Sequence, residues 1–242
     1  MTAVDWFAGT VAREYDEDDG VFASGVVEAT AELLSPLAWD GTALELGIGT
    51  GRIALPLARR GIRVSGIDLS PDMVAQLRAK PGGGDIPVAV GDFASTVGPG
   101  AFSLVYLVFN TIMNLTSQDA QVACFRNAAA HLEPGGRFVI EVGVPDLQRL
   151  PRGEVYRPFT VRSDHLGFDE YDVPNQGLVS HHYSLDGGRV ETVAMPFRYV
   201  WPSELDLMAR LAGLRLAERF GGWRREPFTS ESDSHVSVWV GD

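Results

Sequence analysis

Leu44–Arg52 reads LELGIGTGR: an apolar run, then three glycines at alternate positions, then residues that continue as a helix. Gly47, Gly49 and Gly51 permit a tight turn and let a bulky ligand approach the main chain, while the start of the next helix presents N–H groups with no partner inside it. An apolar strand, a glycine loop and a helix in that order open a βαβ unit and predict a parallel sheet.

Outward from this loop, short apolar runs alternate with helix-like segments. Strands are expected over Thr42–Leu46, Ile62–Asp68, Ile86–Val90, Phe102–Phe109 and Arg137–Val142. The first, fourth and fifth are almost continuously apolar, as strands covered on both faces must be. Helices are expected over Arg52–Arg60 with Gly61 as its stop, from the cap Ser70-Pro71-Asp72 to Lys80, and from Thr116 or Ser117 to near Leu132. An earlier helix, Val21–Leu34, is closed by Pro36.

After Val142 the pattern changes. Tyr156 to Tyr199 carries β-rich runs punctuated by Pro174-Asn175-Gln176-Gly177 and Asp186-Gly187-Gly188, the signature of an antiparallel insertion. A helix over Ser203–Ala212 follows, with Ser203 and Asp206 at capping-box spacing and Gly213 beyond it, and then two strands, LRLAERF and HVSVWV.

A chain of 242 residues suits one core. We divide it into an N-terminal helical cap (1–40), a ligand-binding core (41–145), the antiparallel insertion (150–200) and a C-terminal helix with a strand pair (201–242). Apolar content is 45% and no run approaches the roughly 18 apolar residues of a membrane span, so a soluble chain away from membranes is expected. The N-terminus lacks the pattern of a signal peptide, which makes the cytoplasm the expected location. A net charge of −12 without a stripe of Lys and Arg argues against nucleic acid as partner and for a small substrate. The single cysteine, Cys124, lies in a helical pattern and reads as a buried apolar residue.

Two further strand ends strengthen the glycine loop. Asp68, at the end of the second strand, is placed to accept from a ribose diol, and Gly91-Asp92-Phe93 after the third strand offers a carboxylate and a ring to an adenine. A dinucleotide fingerprint would need glycine where Arg52 stands, which disfavours NAD(P) and an oxidoreductase. Glu45, two residues before Gly47, would repel a pyrophosphate and suit an ammonium or sulfonium group.

Together, ELGIGTG (45–51), GIDLS (66–70), GDF (91–93), FNTIMNL (109–115) and LEPGGRFVIE (132–141) resemble the class I S-adenosylmethionine-dependent methyltransferases of the small-molecule type. The resemblance implies an α/β fold: a doubly wound, mostly parallel seven-stranded Rossmann-like sheet with a reversed hairpin at its edge and an antiparallel β insertion after the fifth strand. It implies S-adenosyl-L-methionine as methyl donor and S-adenosyl-L-homocysteine as product. By the same resemblance Gly47, Gly49 and Gly51 line the amino-acid part of the cofactor with Glu45, and Asp68 holds the ribose. Gly91, Asp92, Phe93 and Leu69 surround adenine, and Tyr15, in the pair Tyr15-Asp16, folds over the site.

The acceptor is a small molecule, methylated on nitrogen or oxygen, in natural-product metabolism by this reading. The insertion would cover it, with Asn110, Asn114 and Tyr171 as contacts, and is also the surface through which two copies would pair. Candidates for a general base are His165, His181, His182 and Tyr183, along with Tyr171. His181 and His182 would point to opposite faces of a strand, and no metal-binding spacing is present. His131, near a helix end, reads as a capping contact, and His235 as a strand residue. A non-catalytic S-adenosylmethionine-binding module is the alternative, and an aminopropyl transferase a further one.

Overall fold

The computed structural model describes residues 4–16, 24–98 and 100–241. Five apolar runs become parallel strands: β1 (Thr42–Leu46), β2 (Arg63–Asp68), β3 (Val88–Val90), β4 (Phe102–Leu107) and β5 (Leu132–Gly143). Then come β6 (Tyr156–Val161), β7 (His165–Asp172), β8 (Gly177–Asp186) and β9 (Arg189–Arg198), which form their own antiparallel sheet in that order. The last strands, β10 (Leu214–Phe220) and β11 (Ser234–Gly241), rejoin the first sheet antiparallel, giving the order β10-β11-β5-β4-β1-β2-β3.

From β1 the chain winds outward to β3 and then returns to place β4 on the other side of β1. That reversal opens a crevice beyond the C-terminal ends of β1 and β4.

Alternation along the strands divides the core in two. Val105 and Leu107 of β4 and Phe138 and Ile140 of β5 face one layer with Cys124 and Phe125 of the helix Gln118–Ala130 and with Leu205 and Met208 of the helix Pro202–Leu211. Leu104 and Tyr106 face the other layer, against Leu33, Leu34 and Leu57. With helices on both faces, β4 is buried at every position, which is why its sequence does not alternate.

The helices are α1 (Thr10–Glu14), α2 (Ser24–Leu34), α3 (Ala54–Arg59), α4 (Pro71–Ala79), α5 (Gln118–Ala130) and α6 (Pro202–Leu211). None is long and apolar enough to cross a membrane. Ser70 caps α4 by accepting from Met73 N–H at 3.4 Å, and Ser117 caps α5 by accepting from Ala120 N–H at 3.2 Å. The expected start of α2 at Val21 lies outside the described residues.

Several boundaries depart from the sequence reading: β3 begins at Val88 instead of Ile86, β4 ends at Leu107 instead of Phe109, and β5 begins at Leu132 instead of Arg137. The expected helix at Arg52 begins at Ala54, since residues 47–51 are committed to the loop. The capping box at Ser203 does not form: Pro202 already occupies the first helical position, behind Trp201. Asp206 instead accepts from the Arg219 guanidinium and from Trp239 Nε1–H, pinning α6 to β10 and β11.

Candidate functional site

Gly47, Gly49 and Gly51 all adopt left-handed backbone, with φ of 73°, 54° and 77°. A Cβ at Gly47 would stand 2.7 Å from Thr111 Cγ2, so close approach as well as φ requires glycine there. The loop folds over the end of β2: Gly47 N–H and Ile48 N–H both donate to Ile67 O, at 2.8 and 3.1 Å. Asp68 completes the fold, its Oδ2 accepting from Gly49 N–H at 2.6 Å and its Oδ1 from Ser70 N–H at 2.8 Å. Burial raises its pKa, while these two N–H groups pull the other way.

Between this loop and the exit of β4 lies a cavity lined by Tyr15, Glu45, Gly47, Ile48, Gly49, Thr50, Arg52, Ile53, Val108, Phe109 and Thr111. It sits at the sheet's switch point. Glu45 forms its floor, fully buried and accepting from the Tyr106 hydroxyl at 2.8 Å. Burial pushes its pKa up to about 8 despite that hydrogen bond and the Arg52 charge, so the group is mostly protonated at neutral pH. The Arg52 guanidinium carbon lies 4.4 Å from the Phe109 ring centre and 5.2 Å from that of Tyr15, a cation held between two aromatic faces.

Tyr15 is brought over the cavity by a strap of N-terminal chain. Gly9 N–H donates to Asp72 at 2.7 Å, Thr50 Oγ1 donates to Asp16 at 2.7 Å, and Lys80 pairs with Asp16 while also donating to Thr50 O at 2.8 Å. Phe7 meets the Tyr15 ring edge-on at 5.9 Å.

Of the predicted cofactor residues, Tyr15, Glu45, Gly47 and Gly49 line the cavity together. Gly51 lies below it against Leu77, where a Cβ would clash at 2.2 Å. Asp68 anchors the loop from beneath, and the half-buried Leu69 follows it. The Phe93 ring reaches within 3.9 Å of the position a Gly47 Cβ would take, Asp92 accepts from Ala94 N–H at 2.8 Å, and Gly91 is held close to Thr96. Asn127 fixes that segment by donating to Phe93 O and Thr96 O at 2.8 and 2.9 Å. The sequence reading missed Arg52, Thr50, Phe109 and Thr111. Arg52 carries a signal in the sequence, a cation directly after the glycine loop.

On the acceptor side, Asn110 is exposed, and its Oδ1 accepts from Gly143 N–H at 2.6 Å. Asn114 is half-buried at the end of the 3₁₀ turn Thr111–Asn114. Tyr171 is buried: with Leu178 and Tyr199 it packs on Met113, Leu147, Leu150 and Phe197, seating the four-stranded sheet on the exit of β4.

This seating separates the base candidates. Tyr171, Leu178 and Phe197 are cross-strand partners and define the inner face, on which Ser180 and His182 also lie by alternation. His182 Nδ1 is 3.1 Å from His165 Nε2, and its Nε2 is 3.3 Å from Ser180 Oγ; Asp169 lies directly across from Ser180 and hydrogen-bonds to it. His181 and Tyr183 are on the outer face, stacked on Phe168 at 4.9 and 5.8 Å, with His181 bonded to Glu170 at 2.9 Å. None of these five residues lines the cavity. His131 caps α5, accepting from Gly98 N–H at 2.8 Å through Nε2, and His235 is buried beside Ser237. Among the described residues, no group of three His, Cys, Asp or Glu side chains is placed to hold a metal ion.

The fold and the placement of the cavity define a Rossmann-like methyltransferase. A family model described as a methyltransferase domain matches residues 43–136. The CcbJ methyltransferase of Streptomyces caelestis is 36% identical, with 100% of this chain and 99% of that one aligned and a TM-score of 0.87. A cypemycin N-terminal methyltransferase from a Streptomyces species is 28% identical over 239 residues, 91% of this chain and 98% of the relative. CalS10, an amino pentose methyltransferase from Micromonospora echinaspora solved with S-adenosylmethionine, shares the fold at a TM-score of 0.73 and 20% identity over 99% of both chains. The chain belongs to the class I S-adenosylmethionine-dependent methyltransferases. It is an enzyme whose methyl donor is S-adenosyl-L-methionine, which sets aside the nicotinamide and non-catalytic readings.

Proposed function

We propose that the enzyme transfers the methyl group to an amine nitrogen of a small natural-product-like acceptor. The observation that carries this is the near full-length relation to a cypemycin N-terminal methyltransferase. The whole chain acts as one unit, with 1–40 as cap, 41–145 as cofactor core, 150–200 as acceptor cover and 201–242 closing the sheet.

The donor set fits the cofactor. Of the cavity residues Arg52 offers a cation to its carboxylate and Glu45 a carboxyl to its ammonium, while Asp68, outside the lining and already holding Gly49 N–H and Ser70 N–H, would offer its remaining lone pairs to the ribose. Leu69, Gly91, Asp92 and Phe93 form the adenine end, and Tyr15 closes over the top. When bound, the cofactor supplies an electrophilic methyl carbon on a sulfonium. With the cofactor held there, the chain's own contribution would be to keep the acceptor nitrogen in line with that carbon, so alignment would do most of the work.

A protonated amine must first lose a proton. We assign that role to the inner-face chain Asp169–Ser180–His182–His165, which runs from the half-buried sheet toward its outer end, in preference to His181 or Tyr183. Asn110, Asn114 and the region around Tyr171 border the acceptor. A charge of −12 makes a nucleic acid an unsuitable acceptor. The exposed Val161, Leu166 and Leu185 of the insertion support pairing of two copies there, which sedimentation would read as twice 26.2 kDa.

The test is turnover with S-adenosylmethionine over matched amines and alcohols, read by product mass. N-methyl products are expected, and Asp169→Asn should lower kcat at neutral pH by about 10²-fold with recovery at alkaline pH, where the amine is already free. Products methylated only on oxygen would overturn the assignment.

A further inference from the structure

The exit of β4 carries two adjacent non-glycine residues in left-handed backbone, Phe109 (φ 57°) and Asn110 (φ 59°). Side chains rarely adopt this conformation singly, and a consecutive pair persists only where the surroundings hold it. The holder stands on the neighbouring strand. Leu107 pairs with Ile140, so Glu141 lies one step past the last paired residue, level with the turn. Its Oε2 accepts from Phe109 N–H at 2.7 Å, and its carboxylate also accepts from Asn110 N–H. Successive N–H groups converging on one anion form a nest, here filled from within the chain. In the opposite direction, Asn110 Oδ1 accepts from Gly143 N–H at 2.6 Å, so β5 grips the turn from both sides.

What the turn delivers is the Phe109 ring. It lines the cavity and lies 4.4 Å from the Arg52 guanidinium carbon. Glu141 itself is not among the lining residues. A carboxylate largely withdrawn from solvent is costly unless its hydrogen bonds are met, and here the N–H groups of a strained turn meet them for the half-buried Glu141.

We propose that Glu141 is a positioning residue for cofactor binding: by clamping the β4 exit it sets the Phe109 ring against Arg52 and so orients the guanidinium that anchors the cofactor. This rests on the reading that the cavity takes S-adenosylmethionine. Glu141 acts through Phe109 and touches neither substrate.

A double-mutant cycle tests it, with S-adenosylhomocysteine binding read by calorimetry and folding by circular dichroism. Glu141→Ala should weaken binding by about tenfold or more, and Glu141→Gln, which keeps one acceptor oxygen, by less. Phe109→Leu should weaken binding comparably, and adding either Glu141 change to Phe109→Leu should cost little more. If Glu141→Ala does not fold, the cycle is closed with Glu141→Gln. Affinity within twofold of the parent in both Glu141 variants would overturn the proposal, as would losses that multiply in the double variant. Failure of the unaltered protein to bind S-adenosylhomocysteine would instead overturn the cofactor reading, so the two failures are distinguishable.

Discussion

Glu45 shows how a single side chain takes its chemistry from its place. In sequence it is a carboxylate two residues before a glycine loop; folded, it is fully buried, bonded to Tyr106 and mostly protonated at neutral pH, with its pKa pushed up to about 8. A cofactor ammonium beside it favours the charged form. Its pKa therefore falls on binding, and a proton is released where the pH lies between the ligand-bound and ligand-free values. S-adenosylmethionine should then bind more tightly as pH rises from about 6 to 8. Calorimetry near pH 7 in buffers of different ionisation heat should give different enthalpies, and Glu45→Gln should remove the difference. Equal enthalpies in all buffers would show that Glu45 does not titrate on binding.

At the scale of elements, the question is what fixes the four-stranded sheet to the core. Beyond the apolar seat at Tyr171, Leu178 and Tyr199, a buried polar network ties four elements together. Arg198, at the end of β9 and 6% exposed, donates to Gln121 of α5, to Gln176 in the turn before β8 at 3.0 Å and to Glu204 of α6 at 2.7 Å. Gln121 donates in turn to Ile112 O at 3.3 Å, beside the cavity-lining Thr111. The insertion is thus locked to the turn that lines the cavity. Arg198→Met would leave the Gln121 Oε1 without its donor and the half-buried Glu204 with only Gln118 and Gln176, costing roughly 1 to 3 kcal/mol. The acceptor KM should rise while S-adenosylhomocysteine affinity stays within about twofold, because the glycine loop makes no contact with Arg198. Equal losses for both ligands would show that the network serves the fold alone.

For the whole molecule, these links predict one cooperative unit. The N-terminal strap, the glycine loop and the β4 exit all border the cofactor cavity, and Arg198 carries that connection to the second sheet. S-adenosylhomocysteine at about 100 times its Kd stabilises by about 2.7 kcal/mol. For a chain of this size that raises Tm by roughly 5 to 11 °C. Near- and far-ultraviolet circular dichroism should move together in a single transition. A separate, ligand-insensitive transition would mean that the four-stranded sheet melts by itself.

The parallel strands, the Ser70 and Ser117 caps and the insertion were legible in the sequence because each depends on neighbours along the chain: apolar alternation, turn residues, a hydroxyl three positions before an N–H. So was the glycine loop, since three glycines after a buried strand have few other uses. Asp68 and Asp92 stand at or just past the ends of their strands as the spacing placed them, but neither lines the cavity. Tertiary structure alone decided the rest. Arg52 became a cavity residue only when Phe109, 57 positions on, was folded onto it, and Glu141 acquired its role from a turn on the adjacent strand. Ser203 lost its capping role to Pro202. His182 parted from His181 in placement because the seating of Tyr171 on Met113 chose which face of the sheet looks inward. Local pattern determines what each element is; which side chains meet across elements, and what protonation state they hold there, depends on burial and long-range contact that no single stretch of chain encodes.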